Sequence, residues 1–224
     1  MQNFNGWESN DLSGLLTLLV GRQPYGPNVV SQLEVIKQTK YFESQNIKQY
    51  LNLTAQDTVI DLGAGCGFIA DFIAPEVDHL SCVDISQSFL DYAKKVTEQH
   101  SNITYQQIEF GKLKPLPQVT AIYSVAVFIH FNHYDCYLYL TECYNCLQSN
   151  GRMLFNFLND KYLDITTSTW QRHTTRYLEN RSNAFTNVHY NSDTAIKKII
   201  EQVGFKIEWC KDEDPQTFIL LRKA

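Results

Sequence analysis

The stretch Val59-Ile60-Asp61-Leu62-Gly63-Ala64-Gly65-Cys66-Gly67-Phe68 runs a short apolar segment into three alternating glycines. Its apolar part has the length of a buried strand, and the glycines permit a tight strand-to-helix turn that a ligand can approach closely. The next strand ends Ser81-Cys82-Val83-Asp84-Ile85-Ser86, with an acidic residue at its tip, an apolar one beside it and a serine placed to cap a helix. A carboxylate there can accept hydrogen bonds from two neighbouring hydroxyls, while the apolar neighbour covers a flat ring. In an open α/β sheet, ligands bind beyond the carboxyl ends of the strands where the strand order reverses, and a first strand puts its loop at that point.

Working outward, β-rich runs at 58–62, 80–84, 103–107, 119–125 and 152–157 alternate with amphipathic segments at 67–74, 86–99 and 133–148. Such alternation predicts parallel strands with helices on both faces. A helix is expected at 192–203, stopped by Gly204, followed by two closing strands at 205–210 and 218–222 around a turn at 212–215. Residues 1–56 read as a helical N-terminal cap with a Gly-Pro interruption at 21–27, a helix at 29–45 and another at 47–51. Residues 159–191 are aromatic and polar with weak periodicity, which suits a lid. The expected organisation is one domain over 1–224, with the cap, a ligand-binding core at 57–158, the lid insertion, and a closing helix and strands at 192–224.

Composition narrows the partners. The chain has 224 residues, 44% of them apolar and 19% charged, enough for one sizeable core. A net charge of −5 with 19 scattered Lys and Arg leaves no footprint for a nucleic-acid backbone and points to a small-molecule partner. The apolar run at 15–20 is too short for a membrane span and lacks a signal-peptide layout, so a cytoplasmic protein with no membrane partner is expected. The 6 cysteines fall mostly inside expected strands and helices, as buried free thiols do.

A dinucleotide fingerprint would place its third glycine at position 68, where this chain has phenylalanine. With its acidic-x-Gly-x-Gly-x-Gly pattern and Asp84 one strand later, the sequence instead resembles the class I S-adenosylmethionine-dependent methyltransferases. Tyr105-Gln106-Gln107-Ile108-Glu109 with Leu116-Pro117, the turn Leu147 to Leu154, and Ile199 to Phe205 are similar to later segments of that family. The resemblance implies a Rossmann-like, doubly wound, seven-stranded, mostly parallel sheet with an antiparallel last strand. It implies S-adenosylmethionine as cofactor, with Asp61, Gly63, Ala64, Gly65 and Gly67 at its methionyl end. Asp84 would then hold the ribose and Ile85 the adenine. Glu109 stands where the family has aspartate, so Phe110 shares the adenine role. Tyr25 in the cap is placed to close over the cofactor carboxylate.

The acceptor would be a small polar molecule, methylated on a hydroxyl as in a sugar or natural product. His130 and His173 are the candidate bases, because an imidazole titrates near neutrality. His133 reads as a helix cap. Cys143 and Cys146 share a helix with Tyr137, Leu140 and Leu147, which favours a buried helix face over a metal pair, and no metal site is expected. The rival readings are an NAD-dependent oxidoreductase and a non-catalytic domain that binds a cofactor or partner.

Overall fold

The computed structural model describes residues 29–113, 116–163 and 188–224, with Trp170, Gln171, Thr174, Thr175 and Leu178 between them. The described residues form an α/β fold with eight strands whose pairings are mostly parallel, as expected. It divides into two compact units. One takes the described residues up to 110 together with 119–123, and the other takes those of 111–118 and 124–224.

The first unit opens on helix α1 (Val29–Leu51), one continuous helix where a break near Asn46 was expected. Ile36, Ile47 and Leu51 bury its inner face, and Tyr41 meets Phe72 edge to face at 5.3 Å. Strand β1 (Thr58–Leu62) follows, then α2 (Phe68–Ile73), β2 (His79–Asp84), α3 (Gln87–Val96), β3 (Ile103–Gln107) and β4 (Val119–Ser124). The hydrogen-bonded order is β3-β2-β1-β4, all parallel. The chain therefore steps from β1 through β2 to β3, then returns to the opposite side of β1, so the reversal of strand order lies between β1 and β4. Val59, Ile60 and Leu62 are buried, which explains the apolar run of β1, interrupted only by Asp61 and covered on both faces. At the other end of the strands, buried Asp57 accepts from Thr54 N–H and hydroxyl at 2.8 and 3.0 Å and from the Thr120 hydroxyl at 2.6 Å, tying the entry of β1 to β4.

The second unit holds α4 (His133–Cys146), β5 (Leu147–Asn159), β6 (Tyr190–Asn191), α5 (Asp193–Val203), β7 (Phe205–Glu213) and β8 (Gln216–Lys223). Here β8 runs antiparallel between β5 and β7, the antiparallel last strand that was expected. Its core is aromatic: Phe128 packs against Phe131, Tyr139 and Phe155 at centroid distances of 5.0, 6.4 and 4.6 Å. Gly204 ends α5 in the left-handed region at φ 104°, as its position suggested.

Three local readings need correction. Asn132, not His133, caps α4: its Oδ1 accepts from Tyr134 and Asp135 N–H, and Asp135 Oδ2 accepts from Asn132 N–H in return. Strand β5 begins at Leu147, five residues early, because Asn150 takes the turn's positive φ (63°) without ending the strand. The eighth strand, β6, was not foreseen; it pairs Tyr190 and Asn191 with Leu158 and Asn159 of β5, so both ends of the 159–191 insertion are held side by side. Of the cysteines, five are buried, Cys143 and Cys146 on the inner side of α4 among them, while Cys210 is exposed. Tyr137, expected on that inner side, is exposed.

Candidate functional site

The glycine loop leaves β1 at the reversal of strand order and is built by its own hydrogen bonds to β2. Gly63 and Ala64 N–H both donate to Val83 O, at 2.8 and 3.1 Å, and Gly67 N–H donates back to Ala64 O at 3.0 Å. Gly65 N–H donates to Asp84 Oδ2 at 2.9 Å, while the other oxygen of Asp84 accepts from Ser86 N–H at 2.9 Å. Asp84 is thus no solvated strand tip: it is buried and clamps the loop to the start of α3. Ser86 caps α3 as expected, its hydroxyl accepting from Phe89 N–H at 3.2 Å.

The glycines are required by conformation. Gly63, Gly65 and Gly67 have φ of 80°, 52° and 77°, where a side chain is strained. At Gly67 a Cβ would also lie 2.8 Å from Ala93 Cβ, so the close approach of loop and α3 depends on this position. Phe68, which excludes the dinucleotide spacing, is buried with its ring edge-on to Tyr92.

Asp61 lies two residues before Gly63 and is 4% exposed. Its Oδ2 and the hydroxyl of Tyr123 are buried with no hydrogen-bond partner among the described residues. Burial pushes the Asp61 carboxyl up to about 7; the Tyr123 hydroxyl, facing it short of a hydrogen bond, opposes the rise, Asp84 adds to it, and Lys40 on α1 opposes it. Burial likewise lifts the Cys66 thiol to about 12, with Asp84 adding to the shift, so the loop's cysteine is no nucleophile.

The other expected cofactor residues surround the loop in the same unit. Ile85 is half-buried beside Asp84, and its carbonyl accepts from Gln107 Nε2 at 3.0 Å. Ile108 N–H donates to Asp84 O at 3.0 Å, which brings the end of β3, with exposed Glu109 and half-buried Phe110, to the tip of β2. His130 belongs to the second unit, half-buried in a single 3-10 turn, Phe128–His130. Tyr25 and His173 lie outside the described residues. The residue that sequence reading missed is Tyr123; nothing in the pattern of β4, Val119-Thr120-Ala121-Ile122-Tyr123-Ser124, singles it out, and its facing of Asp61 depends on a register across 62 residues of chain.

Residues 59–151 match the methyltransferase domain family. Among curated proteins, a ribosomal RNA small subunit methyltransferase A from Coxiella burnetii is 31% identical over 78 residues, which are 33% of this chain; the chain spans 30% of that relative's length. Among solved structures, geranyl diphosphate C-methyltransferase from Streptomyces coelicolor superposes with a TM-score of 0.67 at 13% identity, covering 92% of this chain and 90% of that one. Magnesium protoporphyrin IX methyltransferase from Synechocystis, with bound S-adenosylhomocysteine, gives 0.63 at 17% identity, covering 91% and 92%. Residues 59–151 are therefore similar to a methyltransferase domain, and the chain has the fold that these solved methyltransferases share.

Proposed function

We propose that this chain binds S-adenosylmethionine at the Gly63–Gly67 loop and transfers its methyl group to a small polar molecule, at a hydroxyl. The observation that carries the cofactor reading is the charge and hydrogen-bond state of the loop. Two buried carboxylates, Asp61 and Asp84, stand beside it, and the N–H groups of Gly63, Ala64, Gly65 and Gly67 are already donated within the protein. A pyrophosphate needs free N–H donors and positive potential at such a loop. A ligand with an ammonium, a sulfonium and ribose hydroxyls fits what is there, with the Asp61 carboxyl, which lacks a partner at Oδ2 among the described residues, as the acceptor for the ammonium. This disfavours the NAD-dependent reading on grounds independent of Phe68.

In this reading Asp61 takes the ammonium, Asp84 accepts from the ribose hydroxyls, Ile85 covers the adenine, and Glu109 and Phe110 border its amino group. Tyr25 closes over the carboxylate. The cofactor, when bound, supplies a methyl already activated on a positively charged sulfur. The protein's share is then to hold the acceptor oxygen in line behind that methyl and to take the proton it releases. His130 or His173 takes that proton, and residues 159–191 form the acceptor side of a single methyltransferase domain. The net charge of −5 supports a small acceptor over RNA, despite the ribosomal RNA enzyme among the relatives.

Calorimetric titration of the chain with S-adenosylmethionine, S-adenosylhomocysteine and NADH tests the cofactor. We expect binding of the two sulfur compounds alone, weakened about tenfold or more by Asp84→Asn, the loss typical of a charged hydrogen-bond partner. Binding of NADH alone overturns the reading. Binding without S-adenosylhomocysteine formation across a panel of hydroxyl acceptors would make the domain non-catalytic, and a His130→Ala variant with full turnover would remove His130 as the base.

A further inference from the structure

Asp61 and Tyr123 are register partners on the neighbouring parallel strands β1 and β4, so their side chains leave the sheet on the same face. On the other side of Asp61 the register partner is Cys82 of β2, and Cys82 pairs in turn with Tyr105 of β3. The row thus reads Tyr105, Cys82, Asp61, Tyr123 across the sheet at the level where β1 enters the glycine loop. The Tyr105 hydroxyl is engaged by the Thr97 hydroxyl. The Tyr123 hydroxyl and Asp61 Oδ2, both fully enclosed, have no partner.

Burying two polar atoms side by side without a hydrogen bond costs free energy on both, and proteins keep such pairs where a third group completes them. Tyr123 is 0% exposed, so phenylalanine would fill its place in the core equally well, and packing leaves the hydroxyl unexplained. We infer that Tyr123 is a positioning residue for the cofactor's amino-acid end: once the ligand is bound, its hydroxyl donates to Asp61, holding the carboxylate ionised and aimed at the ligand ammonium. This rests on the S-adenosylmethionine reading above and extends it to a residue outside the glycine motif.

The groups facing Asp61 fix the direction of the pH effect. Asp84 at the tip of β2 opposes its ionisation; Lys40 from α1 and Tyr123 from β4 favour it; Cys82 from β2 stays a neutral thiol, held well above its ordinary value by burial, with the charges of Asp61 and Asp84 adding to it. An ammonium pairs with the ionised carboxylate, so affinity falls as the pH drops through about 7. Removing the Tyr123 hydroxyl leaves burial and Asp84 less opposed, which moves that fall to higher pH.

The test is calorimetric titration of the full chain between pH 5.5 and 9, in wild type, Tyr123→Phe, Asp61→Asn and the double variant. The probes are S-adenosylhomocysteine and 5′-methylthioadenosine, which keeps the nucleoside but lacks the amino-acid end. For Tyr123→Phe we expect S-adenosylhomocysteine to bind about tenfold more weakly at pH 7, with the affinity midpoint at higher pH and 5′-methylthioadenosine unchanged. In the Asp61→Asn background the same substitution should add nothing. Equal losses for both probes, an unmoved midpoint, or a full extra loss in the Asp61→Asn background would overturn the role of Tyr123 while leaving the cofactor site standing. Failure of wild type to bind S-adenosylhomocysteine at any pH would overturn the cofactor reading itself, and this inference with it.

Discussion

Asp61 carries an electrostatic cost that the folded chain accepts in one protonation state only. Its carboxyl is raised from 3.8 to about 7, so between those values the folded protein holds a proton that the unfolded chain has released. Asp61 therefore subtracts stability progressively as pH rises through that window, and the loss levels off above about 7. Asp61→Asn should gain on wild type in chemical denaturation as the pH is raised from 4 to 7.5. Gly67→Ala tests the opposite kind of residue, one chosen for what it lacks: at φ 77° and 2.8 Å from Ala93 Cβ, a methyl group should cost about 2 kcal/mol or more. Asp61 and the glycines were legible in the sequence because their spacing sits within one strand and its loop, and Asp84 because it ends the next strand. Tyr123 was not, because which residue of β4 faces Asp61 is set by strand register, and register is a property of the assembled sheet.

Local chemistry and tertiary pairing contribute differently from one element to the next. The start of α4 is set locally: the Asn132 and Asp135 side chains satisfy each other's backbone N–H groups, a reciprocal cap. Asn132→Ala should lower unfolding free energy by about 1 kcal/mol while His133→Ala leaves it within a few tenths, which reverses the capping role that the histidine's position first suggested. Strands β1 and β3 were read to the residue: β1 ends where Leu62 meets Gly63, and β3 begins where Ser101-Asn102 gives way to Ile103. By contrast β6 has two residues and no pattern of its own; it exists because Leu158 and Asn159 offer it a partner. Asn159 is locked in turn, donating to the Thr217 hydroxyl at 2.9 Å and accepting from Lys161 N–H at 3.2 Å, and Asn191 donates to Phe131 O at 2.9 Å. The two ends of the insertion are thereby fixed by buried asparagines that sequence pattern marks only as polar residues at a strand end.

On the scale of the whole chain, ligand binding and proton binding are linked through Asp61, and the linkage has a sign that distinguishes the proposed cofactor from its rivals. Without ligand, ionisation of Asp61 lowers stability as pH rises toward about 7. With an ammonium on the carboxylate the same ionisation becomes favourable, so the stabilisation conferred by the cofactor grows over the pH range in which the unliganded protein weakens. A ligand at one hundred times its dissociation constant adds about 2.7 kcal/mol to unfolding, enough to read in a melting curve. Melting temperatures measured with and without S-adenosylhomocysteine at fixed concentration should therefore diverge from pH 5.5 to pH 8. NADH should give no divergence, because its pyrophosphate meets two carboxylates and no free N–H at Gly63, Ala64, Gly65 or Gly67. A constant increment across that range would mean that the ligand binds without engaging Asp61. In the Asp61→Asn variant the divergence should vanish even where binding persists, which assigns the effect to this carboxylate and to no other titrating group.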